Sequence, residues 1–249
     1  MKRLYGLIGF PLSHSFSKRY FTEKFVRENL TECSYELFPL DSIKLLPELL
    51  KRHPELLGFN VTIPYKQAVL HYLDELDSDA EKVGAVNTVV INSKSRLVGY
   101  NTDVIGFRQS LVQARSTHHR ALVLGSGGAS KAVTFVLDEM HVPYTLVSRH
   151  AGNTRLIYSD INKDIISNCD LIINTTPLGM YPEVDSYPPI PYHFITEKHL
   201  LYDLVYNPPQ TLFMIKGKAH GAEVLNGLEM LYLQAEAAWE LWNPAKHSQ

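Results

Sequence analysis

The sequence predicts an α/β protein with mostly parallel sheets, on three observations. Short strand-like runs alternate with helix-length stretches from the N-terminus onward, a pattern that layers helices over parallel strands. A Gly125-Ser126-Gly127-Gly128 turn separates a very apolar strand from a helix, the local context of a phosphate-binding βα unit. Near the C-terminus Leu228, Leu231, Tyr232, Ala235, Ala238, Trp239 and Trp242 recur at helical spacing, so one stripe of that helix must be buried.

Taken in order, residues 4–8 read as a strand and 16–30 as a helix with Phe16, Tyr20, Phe21 and Phe25 near helical spacing. Residues 34–38 are strand-like. Asp41 suits the cap of a helix to His53, which Pro47 must bend or restart. A third strand over 59–63 runs into Pro64, which favours the first position of a helix carrying Lys66, Val69 and Leu70. Strand-like stretches 86–92 and 97–100, joined by polar Ser93-Lys94-Ser95-Arg96, predict a hairpin at the edge of this sheet. A helix over 103–115 leads to a second βα series, with strands at 121–124, 144–147, 171–174, 200–205 and 223–225. Its helices fall at 129–140, around 163–168 and at 209–219. That is the rhythm of a dinucleotide-binding fold. The Pro-rich stretch 181–191 is a loop, and 228–242 is the clearest helix.

The 249 residues suffice for one large or two modest domains, and 45% hydrophobic with 20% charged residues is a globular composition. The balance of 24 basic against 26 acidic residues leaves a net charge of −2, without the electrostatic footprint of a nucleic-acid binder. No run approaches the roughly 18 apolar residues of a membrane span. Lys2 and Arg3 ahead of residues 4–10 imitate a signal peptide, but that run carries two glycines and stops at Pro11, which suits a first strand better. Cys33 and Cys169 neither frame a disulfide scaffold nor show metal-ligand spacing, so no metal is expected and a cytoplasmic location is.

The glycine turn points to a dinucleotide. Gly125 allows the tight turn and Gly127 keeps a side chain away from the pyrophosphate. The helix that starts at Gly128 and Ala129 then offers N–H groups and a positive dipole end. NAD-specific sites usually place a carboxylate at the end of the next strand. Here that strand ends in Ser148-Arg149-His150, and the Arg149 guanidinium suits a 2′-phosphate, so NADP is the favoured cofactor.

In the first hundred residues, polar clusters stand at strand ends, where α/β sheets place ligands. They are Ser13-His14-Ser15-Phe16-Ser17, Asn60-Val61-Thr62-Ile63-Pro64-Tyr65-Lys66, Gly84-Ala85-Val86-Asn87-Thr88 and Gly99-Tyr100-Asn101-Thr102-Asp103. Together they supply hydroxyls, amides, one ammonium and one carboxylate, a set suited to a small polyhydroxylated acid. No GxSxG elbow, metal cluster or cysteine nucleophile accompanies them.

These clusters, the glycine turn, Asn174-Thr175-Thr176-Pro177, Tyr202-Asp203-Leu204-Val205-Tyr206-Asn207-Pro208 and Asn226-Gly227-Leu228-Glu229 occur in the family order of the shikimate dehydrogenases, which the chain resembles from about residue 5 to residue 240. The resemblance implies NADPH-dependent reduction of 3-dehydroshikimate to shikimate in aromatic amino-acid biosynthesis. It implies that Ser15 and Ser17 hold the substrate carboxylate and that Thr62, Asn87, Asp103 and Gln234 hold its ring hydroxyls. Lys66 and Asp103 would form the catalytic pair. Thr175, Tyr206 and Gly227 would border the nicotinamide, with Tyr206 also on the substrate side. It further implies that the C-terminal helix returns to the first domain, giving a substrate-binding domain of 1–103 with 226–249 and a Rossmann-like NADP domain of 104–225. Where family members commonly carry a second arginine after the Arg149 position, Arg155 comes two residues late. Expected partners are small molecules, with no nucleic acid and no membrane, and the expected assembly is a monomer or homodimer. Two other readings are an NAD-using quinate/shikimate dehydrogenase and a non-catalytic dinucleotide sensor. Intact Ser17 favours shikimate over quinate, and the presence of both Lys66 and Asp103 speaks against the sensor.

Overall fold

A computed structural model describes residues 2–12, 15–114, 117–150, 152 and 155–243. Ser13 and His14 of the first polar cluster, and the tail 244–249, lie outside the described residues. The chain divides into two compact units, Met1–Thr102 with Ala235–Gln249, and Asp103–Gln234. The first crossing falls one residue before the 103/104 boundary read from the sequence, and the second falls inside the last helix instead of at 225/226.

The first unit runs β1 (Arg3–Gly9), α1 (Phe16–Arg27), β2 (Cys33–Pro39), α2 (Leu46–Arg52), β3 (Leu56–Val61), β4 (Glu75–Leu76), α3 (Ser78–Val83), β5 (Thr88–Ile91) and β6 (Leu97–Tyr100). Its sheet has the order β2-β1-β3-β5-β6-β4. β1 is parallel to both neighbours, and β3, β5 and β6 pair antiparallel in turn. The predicted hairpin is therefore present but not at the edge, because the short β4 pairs outside β6. Ile8, Phe59, Val69, Val86 and Val89 are fully buried between the layers.

Two helix starts differ from the sequence reading. Ser42, not Asp41, caps the segment before α2, accepting from the Lys44 N–H at 3.3 Å. Pro47 then falls in the first turn of α2, where its missing N–H has no intrahelical partner to lose. Pro64 opens no helix. Residues 62–67 form turns ahead of a 3₁₀ segment at Ala68–Tyr72. Backbone bonds explain why: Tyr65 N–H donates to Thr62 O at 2.9 Å, and Lys66 O accepts from Val86 N–H at 2.7 Å. That carbonyl therefore serves the next segment instead of a helical ladder.

The second unit comprises α4 (Thr102–Ala114) from its second residue on, β7 (Ala121–Leu124), α5 (Gly128–Glu139), β8 (Tyr144–Ser148), β9 (Arg155–Ile157), α6 (Lys163–Ser167), β10 (Leu171–Asn174), β11 (Leu200–Asp203), α7 (Leu212–Ala219), β12 (Glu223–Asn226) and the N-terminal part of α8 (Leu228–Trp242), up to Gln234. All its strands are parallel, in the order β12-β11-β10-β7-β8-β9. The order reverses between β7 and β10, and ligands in such sheets bind at the carboxyl ends beside that point. α7 starts at its Thr211 cap, after Pro208 and Pro209, later than the sequence reading.

The C-terminal part of α8 packs within the first unit. Tyr5 stacks on Trp242 with ring centroids 4.9 Å apart and meets Trp239 edge-on. Trp242 Nε1 donates to Val89 O at 3.0 Å, and a Cβ on Gly58 would come within 2.2 Å of that nitrogen. These contacts account for the apolar stripe.

Candidate functional site

In the first unit the predicted substrate-side residues sit on a buried polar lattice. Tyr35 donates to Asn60 Oδ1 at 2.8 Å and is hydrogen-bonded by Ser17; burial holds its phenol well above the usual range. Asn60 Nδ2 donates to Thr88 Oγ1 at 3.0 Å. The Asn87 side-chain oxygen accepts from Thr102 N–H at 2.8 Å, Thr102 Oγ1 at 3.1 Å and Thr88 Oγ1 at 3.2 Å. An amide oxygen so engaged fixes the plane of the group, and a ligand contact falls to its nitrogen. Ser15 caps α1, accepting from Lys18 N–H, and Ser17 lies in the first turn of that helix. Thr62 follows β3 and packs on Gly9, whose Cβ would stand 2.4 Å from Thr62 Cγ2.

Thr102, held by Asn87, is the first residue of α4, and Asp103 is the next. Asp103 is therefore not the cap, since Asn101 precedes the helix; the carboxylate lies buried in the first turn, where the helix dipole favours negative charge. Asn101 is tied down separately, its Nδ2 donating to Ala85 O at 2.9 Å. Lys66 is half-buried in the turn after β3, held by its own carbonyl through Val86.

In the second unit Gly125, Ser126, Gly127, Ser148, Arg149, Tyr158, Thr175, Thr176, Pro177 and Leu178 line one cavity of about 370 Å³. Gly125 has φ +111°, which favours glycine, and its Cβ would stand 2.5 Å from Thr175 Oγ1. Gly127 caps α5 without a side-chain hydrogen bond, and no atom lies within 4 Å of where its Cβ would be. That space, with the N–H groups opening a 12-residue helix from Gly128 and Ala129, fits a pyrophosphate. Ser130, where a third small residue is usual, is buried and satisfied by Gly127 O at 2.7 Å. Arg149 is exposed and is the basic residue of this lining; Ser148 is turned back onto His150 O.

A buried carboxylate organises the loops beside this cavity. Asp203 Oδ1 accepts from Asn174 Nδ2 at 2.9 Å and Val205 N–H at 3.0 Å, and Oδ2 accepts from Thr211 Oγ1. Burial pushes its pKa up to about 6, against the opposing pull of the Thr211 hydroxyl and the other donors. Asn174 in turn accepts from the Thr176 hydroxyl at 2.6 Å, and Thr175 donates to Leu124 O at 2.7 Å. Val205 O receives the Gly227 N–H at 3.3 Å, and a Cβ on Gly227 would meet Leu204 O at 2.1 Å. Gly227 thus brings the start of α8 against the segment carrying Tyr206. Gln234 is buried farther along α8, with Nε2 on Leu231 O at 2.9 Å.

Of the predicted residues, Asn87 is bonded to Thr102, the residue before Asp103, and Gly125, Gly127, Ser148, Arg149 and Thr175 share one cavity. Tyr206 and Gly227 lie at the next strand end and do not line that cavity. Sequence reasoning missed Tyr158 and the bonding role of Asp203. Tyr158 follows β9, a strand too short to show a period, whereas Asp203 stood in a quoted motif at a strand end. Among the described residues no group of three or more His, Cys, Asp or Glu side chains is placed to hold a metal, and no helix is long and apolar enough to cross a membrane.

Comparison with known proteins bears on both units. A family model described as the shikimate dehydrogenase substrate binding domain matches residues 7–89. A shikimate dehydrogenase (NADP(+)) of Methanococcus maripaludis is 36% identical over 263 residues, covering 98% of this chain and 92% of the relative. A crystal structure of a shikimate dehydrogenase in complex with NADP+ superposes with a TM-score of 0.86 at 31% identity, covering 98% of this chain and 91% of that one. A Thermus thermophilus shikimate 5-dehydrogenase in complex with NADP(H) and shikimate gives 0.83 at 32% identity, covering 97% and 94%.

Proposed function

Because the chain belongs to the shikimate dehydrogenase family, we propose that it catalyses the reversible NADPH-dependent reduction of 3-dehydroshikimate to shikimate, a step of aromatic amino-acid biosynthesis. The observation that carries this reading is the presence of both Lys66 and Asp103 in a chain 36% identical to such an enzyme over 98% of its length. When bound, NADPH supplies the hydride.

The chain's own residues do the rest. Ser15 and Ser17 hydroxyls hold the substrate carboxylate, and Thr62, Asn87, Asp103 and Gln234 hold its ring hydroxyls. As the ketone is reduced, negative charge builds on its oxygen; the Lys66 ammonium stabilises and then protonates it, and Asp103 shares that proton. In the oxidation direction the same pair takes the hydroxyl proton. Gly125, Gly127, Gly128 and Ala129 hold the pyrophosphate, Arg149 holds the 2′-phosphate with Ser148 beside the cofactor, and Thr175, Tyr206 and Gly227 border the nicotinamide. On this reading 1–103 with 226–249 is the substrate domain and 104–225 the cofactor domain. The proposed form is a cytoplasmic monomer or homodimer; the cytoplasmic part accords with two free cysteines, one of them a buried thiol pushed up to about 11 and so a poor nucleophile.

Absorbance at the nicotinamide band, with shikimate or quinate crossed against NADP or NAD, tests the proposal. The expected result is turnover that is fastest with shikimate and NADP. Faster turnover of quinate with NAD supports the quinate reading instead, and no turnover with any pair overturns catalysis.

A further inference from the structure

The geometry points to Tyr158 as a second determinant of the 2′-phosphate site, its hydroxyl donating to the phosphate that Arg149 binds. The inference rests on the NADP reading and adds to it a donor from outside the segment in which family members carry their second arginine.

The register of the sheet carries it. β8 and β9 are parallel, with Leu146 opposite Arg155 and Ser148 opposite Ile157. Arg149 and Tyr158 are therefore the first residues past the ends of two neighbouring paired strands, at the carboxyl edge where α/β sheets bind ligands. Arg155 stands opposite Leu146, two residues back from Ser148, and does not line the cavity. The late arginine has thus been drawn into a strand, and Tyr158 occupies the edge.

Tyr158 lines the same 370 Å³ cavity as Gly125, Gly127 and Arg149. Its ring packs against the apolar core of this unit, as Leu156 and Ile165 do, which holds the aromatic body at the cavity's edge. Burial raises the phenol above its usual value and the Arg149 charge lowers it. The guanidinium therefore acts on this hydroxyl, which stays protonated at neutral pH and can only gain by donating to an anion between them. A phosphate takes several donors at once, and a hydrogen bond to a charged acceptor is stronger than one between neutral groups. A ribose 2′-hydroxyl offers no such charge, so Tyr158 discriminates between the two dinucleotides.

Calorimetric titration of the full chain with NADP, NAD, adenosine 2′,5′-bisphosphate and 5′-AMP tests this without turnover. Tyr158→Phe keeps the ring and removes the donor; it should weaken NADP and the bisphosphate about tenfold or more, the weight of one hydrogen bond to a charged group, and leave NAD and AMP within about twofold. Tyr158→Arg should restore the preference for both 2′-phosphorylated ligands. Equal losses for all four ligands would assign Tyr158 to packing and overturn the inference, as would a preference unmoved by Tyr158→Phe. Wild-type protein with no preference for the bisphosphate over AMP would overturn the NADP reading along with it.

Discussion

The Asn87 side-chain oxygen takes hydrogen bonds from three donors inside the first unit, while Gly127 of the second unit faces open space within 4 Å of its absent Cβ. One region is made of side chains that orient one another; the other is made of backbone and of the room left by missing side chains. A small hydroxylated acid has to be told from its stereoisomers, which demands fixed donors and acceptors. A pyrophosphate offers equivalent oxygens, and N–H groups at a helix start suffice for it. Deleting a side chain should damage the first region, and adding one should damage the second.

The largest expected effect lies with the proposed proton-transfer pair. Lys66→Ala or Asp103→Asn should lower kcat about 10²–10⁴-fold, the usual weight of an acid–base group, with the affinity for NADP unchanged by titration. Unchanged kcat in both variants would remove the pair from the mechanism. Asp103→Asn is the sharper test, since it keeps the shape of a buried residue in the first turn of α4.

Asp203 breaks the simple contrast, because it places a side-chain lattice in the second unit too. Its folded-state pKa of about 6 lies above the ordinary carboxylate value near 3.8, through burial. The folded protein therefore binds more protons than the unfolded chain between those values, so stability is highest below about pH 4 on this account and is lost as pH rises through about 6. Two pH units correspond to about 3 kcal/mol. Denaturant titrations of wild type and Asp203→Asn at pH 4, 5, 6 and 7 should diverge by that order, wild type losing ground to the variant as pH rises. Parallel curves would mean that Asp203 titrates normally in the fold.

Legibility in the sequence follows the same physical lines. The glycine turn could be read because tight backbone geometry admits few residue types, and Gly125 with φ +111° is such a position. Strands β7, β10 and β11, buried on both faces, announced themselves as continuous apolar runs. The polar clusters were visible as residues but not as a lattice, since the bond from Asn87 to Thr102 joins segments 15 residues apart. β9, three residues long, carries no period to detect, and the failure of Pro64 to open a helix depended on Lys66 O being taken by Val86. Those are tertiary decisions. The division inside α8 is another: its stripe showed that the helix is buried, while only the contacts of Trp239 and Trp242 show against which strands.

Asn87→Ala tests the lattice itself. It removes the acceptor for Thr88 and for both donors of Thr102, and unsatisfied buried groups cost about 1–3 kcal/mol each unless they find new partners. The expected outcome is a loss of stability of that order by denaturant titration together with a raised KM for shikimate. A raised KM at full stability would mean that the Thr102 turn stands without Asn87.

The smallest effect is the most discriminating, and it concerns two glycines of one turn. Gly127 has φ −85° and ψ −169°, extended backbone that alanine adopts, and its new Cβ would touch nothing in the protein. Gly127→Ala loses a little as a helix cap and gains a little by restricting the unfolded chain, so the thermal midpoint should hardly move. The methyl group would nevertheless stand where the pyrophosphate must approach, and displacing one charge-assisted hydrogen bond predicts a fall in NADP affinity of about tenfold. Gly125→Ala should differ in kind, because its positive φ and the 2.5 Å approach to Thr175 Oγ1 put the strain inside the protein. It should lower the thermal midpoint as well as the affinity. If Gly127→Ala lowers stability and spares NADP binding, the open space at the start of α5 is not where the phosphates lie, and the contrast between a lattice of side chains and a cradle of backbone fails at its simplest point.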